Sequence, residues 1–143
     1  MKLYANVKEN DRTFVKIYSD EENQLICNEW IGFLKKEQVI PGALKVLELI
    51  RQTNAPYMLN DGSKNTGPWA DSNEWIATEW MPQAVSSGMK YFAQVLSPNI
   101  FSQLSAQQME ANAAGFQMKM FESAETARKW LEEMRKKELQ AQA

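Results

Sequence analysis

Residues 56–95 constrain the fold more than any other part of this chain. They read PYMLND, GSKNTGPWA, DSNEWIATEWMPQAVSSG and MKYFAQV. That is a short apolar strand, a polar loop containing Gly62 and Gly67, a helix rich in tryptophan, and a second short apolar strand. A strand that is apolar on both faces needs cover on both sides, and a strand–helix–strand unit provides it. The unit commits the chain to the α/β class and draws attention to the loop before the helix, where such folds place their sites.

The segments around this unit fall into place by period. Leu3, Ala5 and Val7 alternate with polar residues, as do Val15 and Ile17, and Gln24 to Phe33 is a longer apolar stretch ending near Gly32. Short polar turns at 9–12 and 20–23 join them, which predicts an antiparallel meander. From Gln38 to Thr53 the period becomes helical, with Val39, Ala43, Leu47 and Ile50 on one face and Pro41 expected in the first turn. Asn54 and Pro56 close that helix. In the next helix, Asp71 and Glu74 have the spacing of a capping box, Gly88 marks the end, and Pro82 predicts a kink or break. Pro98 is expected at the first position of a further helix, and Ser105 with Gln108 predicts a second box that divides it. Phe116, Met118 and Met120 alternate as a last strand. Ser123 caps a final helix whose tail, 138–143, has little to bury and is expected to fray.

The expected fold is therefore α/β: a single-domain mixed β-sheet, an N-terminal antiparallel meander followed by right-handed βα units. One domain spans 1–143, with its core at about 13–135. The 143 residues, 44% hydrophobic and 24% charged, suit one ordinary core.

Composition narrows function by exclusion. The chain has no histidine, so the commonest general base, the histidine-activated nucleophiles and the commonest transition-metal ligand are all missing. Its single cysteine, Cys27, lies in the apolar segment LICNEW and reads as an inert buried thiol, with neither a disulfide nor a thiolate metal site to make. No catalytic set, metal site or cofactor motif is expected. The loop with Gly62 and Gly67 contains no phosphate-cradle word. A net charge of −2 gives no basic footprint for nucleic acid, and Arg135, Lys136 and Lys137 are interleaved with glutamates. No apolar run is long enough for a membrane span, and the N-terminus has no secretory h-region, so a cytoplasmic protein is expected.

The element order, together with the words YMLND, DSNEWIATEWMPQAVSSGMKYFAQV, MKMFES and AETARKWLEEM, resembles the SpoIIAA-like group of STAS domains over about residues 13–135. The resemblance implies a small bacterial regulatory or protein-binding module without enzymatic activity, and a homodimer is compatible with it. It also implies a regulatory geometry in which a strand ending in Asp leads through a loop to a phosphorylated Ser at a helix start. Asp61 and Ser72 match those positions. The word differs here, since Ser72 is followed by Asn73-Glu74, and the loop is longer and contains Trp69. The group is related to lipid-binding folds, so an apolar-ligand carrier is the alternative.

Two sites follow as expectations. The first is a protein-binding surface formed by Asp61, Trp69, Asp71, Ser72 and Trp75, with Ser72 the candidate phosphosite. On a helical wheel Ile76, Ala77, Trp80, Met81, Ala84 and Val85 fill the apolar face, while Trp75 lies off it, as a contact residue or as a staple on Trp69 or Ala70. The second is a soft pocket for an apolar ligand beneath the central helix, from Trp80 and methionines 58, 81, 89, 109, 118 and 120, against which ordinary core filling is the simpler account of the same residues. Asp61, Asp71, Glu74 and Glu79 form the weaker basis for a carboxylate enzyme or a divalent-cation site.

Overall fold

The computed structural model describes residues 1–142. Lys2–Glu9 (β1), Arg12–Asp20 (β2) and Leu25–Gly32 (β3) form the antiparallel meander. Tyr57–Asn65 (β4), Tyr91–Val95 (β5) and Gln117–Phe121 (β6) then add to it in parallel, so that the sheet order equals the chain order. The first hairpin turns on Asn10 and Asp11, both at positive φ (51° and 63°), the two-residue geometry that matches strand twist.

Each parallel strand is reached by a helical crossover. Lys36–Thr53 (α1) joins β3 to β4, and Ile100–Ala111 (α4) joins β5 to β6. The central helix between β4 and β5 is composite: a 3-10 turn at Ala70–Ser72, α-helix at Asn73–Trp75 (α2), a π turn at Ile76–Trp80, and α-helix at Met81–Ser86 (α3). Adding strands in one direction with one crossover hand puts every crossover helix on the same face. Accordingly, one core packs Ile26, Trp30, Met58 and Phe92 of the sheet against Val46, Leu47 and Ile50 of α1, Trp80 and Met81 of the central helix, and Met109 of α4. The opposite face would be bare without Ala124–Gln142 (α5). Its Ala127 and Leu131 close a second core over Leu25, Cys27, Tyr57, Leu59, Tyr91, Ala93 and Val95.

Several local expectations need correction. Strand β4 does not end at Asp61. It continues to Asn65 through a bulge, because Glu29 pairs with Asp61 but Ile31 already pairs with Lys64. Helix α1 starts at Lys36, two residues early, which leaves Pro41 inside the helix. The capping box of Asp71 and Glu74 does not form: neither start of the central helix has a side-chain cap bond. Tertiary contacts do that work, since Trp69 N–H donates to Ser105 Oγ at 3.0 Å and Asn73 Nδ2 donates to the Ser105 carbonyl at 3.0 Å. Ser105 is thus committed elsewhere, and α4 runs through it unbroken. The cap of α4 is Asn99, whose side chain accepts from Phe101 N–H and Ser102 N–H, with Pro98 just outside.

The disturbance expected at Pro82 lies just upstream of it. The π turn closes with Met81 N–H on the Ile76 carbonyl, and Pro82 then sits in the first turn of α3, where its missing N–H costs little. The tail is helical to Gln142, and Glu138 is held by Tyr91 Oη–H at 2.9 Å and by Lys90. The expectation for residue 143 lies outside the described residues.

Candidate functional site

Alternation along the strands puts residues 28, 60 and 94 on the crossover-helix face, and the register aligns them: Asn28 with Asn60, and Asn60 with Gln94. The same row is completed by Ile17 on β2 and Met120 on β6. Three carboxamides thus interrupt an apolar row at its middle, at the floor of the first core. They are bonded in series. Trp30 Nε1–H donates to Asn60 Oδ1 at 2.8 Å, Asn60 Nδ2 donates to Gln94 Oε1 at 2.9 Å, and Asn28 Nδ2 makes a long 3.4 Å bond to Asn60 Oδ1. The indole sets the polarity of the row. It can only donate, so Asn60 must present its oxygen there and its NH2 to Gln94, and Asn28 must turn its NH2 toward Asn60.

Above this floor lies a cavity of about 50 Å³. Its walls include Trp30, Trp69, Trp80, Met58, Phe92 and Met109, and Asn65 joins Asn28, Asn60 and Gln94 as its polar lining. None of the lining residues is charged. Two glycines make room for the floor. A Cβ on Gly42 would lie 2.7 Å from the Trp30 ring, and one on Gly62, at the β4 bulge, would lie 2.8 Å from Gln94 Nε2 and 2.9 Å from Asn65 Oδ1. Trp80 enters without an orphaned N–H because Nε1 donates to the Ala43 carbonyl of α1 at 2.8 Å. Some polar atoms remain without partners among the described residues: Asn28 Oδ1, Asn65 Nδ2, Ser72 Oγ and Asn73 Oδ1.

The residues expected to share one exposed binding surface are dispersed. Trp69 is buried at 7% exposure and lines the cavity, and Ser72 is buried at 1%. Buried in this way, Ser72 offers no hydroxyl to a kinase, which corrects its placement at the surface. Asp61 lies two residues beyond Leu59 and pairs with Val95, so it faces the α5 side, away from Ser72; its Oδ1 accepts from Ser63 N–H at 2.9 Å. Asp71 is exposed, and Trp75 is half-buried at the margin of the first core. Of the expected soft pocket, Met58, Met109 and Trp80 line the cavity, Met81 and Met89 are core, and Met118 and Met120 are its partly buried fringe. Among the described residues no group of three or more acidic or cysteine side chains could hold a metal ion. Cys27 is buried, and burial pushes its thiol up to about 11.

A second surface lies beside the loop before the central helix. Phe33 (56% exposed) packs against Gly67, whose carbonyl accepts from Ser102 Oγ of α4, and α4 exposes Ile100, Phe101 and Leu104.

Periodicity could not single out Asn28, Asn60, Asn65 or Gln94. For Asn28, Asn60 and Gln94 the available signal was a carboxamide inside each of three largely apolar strand words, LICNEW, YMLND and YFAQV; Asn65 lies outside them. Compared with known proteins, the chain matches no family model, no curated protein and no solved structure. No helix among the described residues is long and apolar enough to cross a membrane.

Proposed function

We propose that this is a non-enzymatic, STAS-like cytoplasmic domain that works by binding a small ligand in the cavity between the sheet and the central helix. The observation that carries this reading is the cavity: three tryptophans and two methionines over a row of carboxamides, without one charged side chain. A mainly apolar wall with a few placed polar groups is the usual make-up of a small-molecule site. The STAS-like assignment is supported by the sequential mixed sheet and the quoted sequence words. Volume argues against a lipid chain, because about 50 Å³ is far below the roughly 300 Å³ at which pockets for larger ligands begin.

The test is native mass spectrometry of protein purified from its own host, followed by tryptophan fluorescence titration with whatever is released. A bound small molecule that quenches or shifts the emission, and fails to do so in Trp30→Phe or Trp69→Phe, supports the reading. Protein that carries nothing and responds to no small neutral solute counts against it.

The exposed Phe33, Ile100, Phe101 and Leu104 favour a second reading, a protein-binding module that docks through α4. Phe101→Asp with Leu104→Asp would then abolish partner capture and leave ligand binding intact.

A further inference from the structure

The carboxamide lining of the cavity carries unused hydrogen-bonding capacity, and its chemistry is specific. Asn28 is 1% exposed and Asn65 6%, both line the cavity, and Asn28 Oδ1 and Asn65 Nδ2 have no partner among the described residues. The first atom can only accept and the second can only donate. The Asn28 orientation is not free to invert, because the Trp30 indole fixes Asn60 and Asn60 fixes Asn28. The tryptophans do not compete for a ligand's polar atoms through Trp30 or Trp80, whose N–H groups are already spent on Asn60 and on the Ala43 carbonyl.

We propose that the cavity recognises a small uncharged ligand of the carboxamide class, whose N–H donates to Asn28 Oδ1 and whose carbonyl oxygen accepts from Asn65 Nδ2, with its apolar part against the tryptophan wall. This rests on the cavity being a ligand site. A carboxylate, an ammonium and a hydrocarbon each fail on one group. A carboxylate has no proton for Asn28 Oδ1 and would bring a charge into a site with no cation to pair it. An ammonium would meet the NH2 of Asn65 with no carboxylate nearby. A hydrocarbon would leave both buried atoms without partners. The space also sets the scale. A single water needs roughly 10–15 Å³ of such space, so about 50 Å³ takes a compact group of a few heavy atoms.

Acetamide, acetone and acetate make a clean test, because they share one four-heavy-atom skeleton and differ in the feature at issue. Each is titrated into the ¹⁵N-labelled full chain while side-chain amide and indole resonances are followed by NMR. Acetamide is expected to shift the Asn65 NH2 and Trp30 indole signals and to bind about tenfold more tightly than acetone or acetate. Asn28→Ala and Asn65→Ala should each erase that preference. Thermal melts by circular dichroism check that the variants fold, and the wild-type probe series stands on its own if one does not. Equal binding of acetone and acetamide would overturn the inference while leaving a shape-selective ligand site. Tightest binding by acetate would overturn it in favour of an anion site. If no probe binds, both this inference and the ligand-binding reading fall.

Discussion

Trp80 shows why one side chain can anchor both a helix and a cavity. It is 4% exposed, meets Phe92 edge-on with ring centroids 6.2 Å apart, and bonds its N–H to the Ala43 carbonyl. Removing it loses the apolar burial, leaves a void and frees a buried carbonyl. Trp80→Ala should therefore destabilise by about 3–5 kcal/mol in denaturant melts, and Trp75→Ala by much less. Trp80→Phe keeps most of the volume and should cost about 1–2 kcal/mol, chiefly through the lost hydrogen bond. The helical wheel separates these two tryptophans correctly, because exposure follows from angle alone; the partner of the indole N–H does not. Cys27 gives a second prediction at this scale. Its thiol is held up to about 11 against an ordinary 9.0, mainly by burial. The fold thus favours the neutral thiol, and that contribution is whole below the ordinary thiol range and declines as pH rises through about 9 to 11. Denaturation midpoints should fall across this window, less so in Cys27→Ala. Part of the decline should remain, since burial also raises Tyr57 and the bond to Glu138 raises Tyr91. A thiol reagent at pH 8 should label Cys27 only as fast as the protein opens; rapid labelling of native protein would contradict its burial.

Among elements, the instructive case is the pair β4 and central helix. Both depart from regular geometry, and both departures serve the cavity. The bulge after Asp61 brings Asn65 back to the sheet, and Gly62 lets Gln94 and Asn65 approach the backbone. Gly62→Ala should push these amides aside, lowering stability by about 1–3 kcal/mol and altering the Asn65 side-chain NMR signals; unchanged signals would show that the contact is slack. The π turn ends just before Pro82, which then sits in the first turn of α3, and Trp80, Met81 and Ala84 stay buried together through it. The first hairpin carries a local cost instead. Asp11 holds a φ of 63°, a region that glycine adopts freely. Asp11→Gly creates the preferred Asn-Gly turn and should raise stability by about 0.5–1 kcal/mol, read as a higher melting midpoint.

At the scale of the whole molecule, the sheet is asymmetric in how it is covered. Three crossovers share one face, and a single helix, α5, protects the other. Deleting residues 124–143 should leave Leu25, Leu59, Tyr91 and Val95 bare. Such a protein should aggregate or fail to give a monodisperse peak in size-exclusion chromatography. A soluble, folded truncation would mean that the second core is dispensable.

The sequence by itself determined the class, the meander, the three parallel additions and the buried faces of α1 and the central helix. Those properties follow from period, proline, glycine and polar turns, which act within a few residues. It also marked the central helix as the place to look. It could not decide how helices begin and end where distant groups replace local caps. Ser105 is the clearest example: its Oγ and carbonyl are taken by Trp69 and Asn73, more than thirty residues away, so the capping boxes at Asp71 and Ser105 go unused. The site was hidden for the same reason. Asn28, Asn60 and Gln94 look like isolated polar exceptions within their strands. Only the register across β3, β4 and β5 lines them into one row beneath Trp30, where burial and the one-way chemistry of the indole N–H leave Asn28 Oδ1 as the open acceptor of the floor, with Asn65 Nδ2 beside it as an open donor.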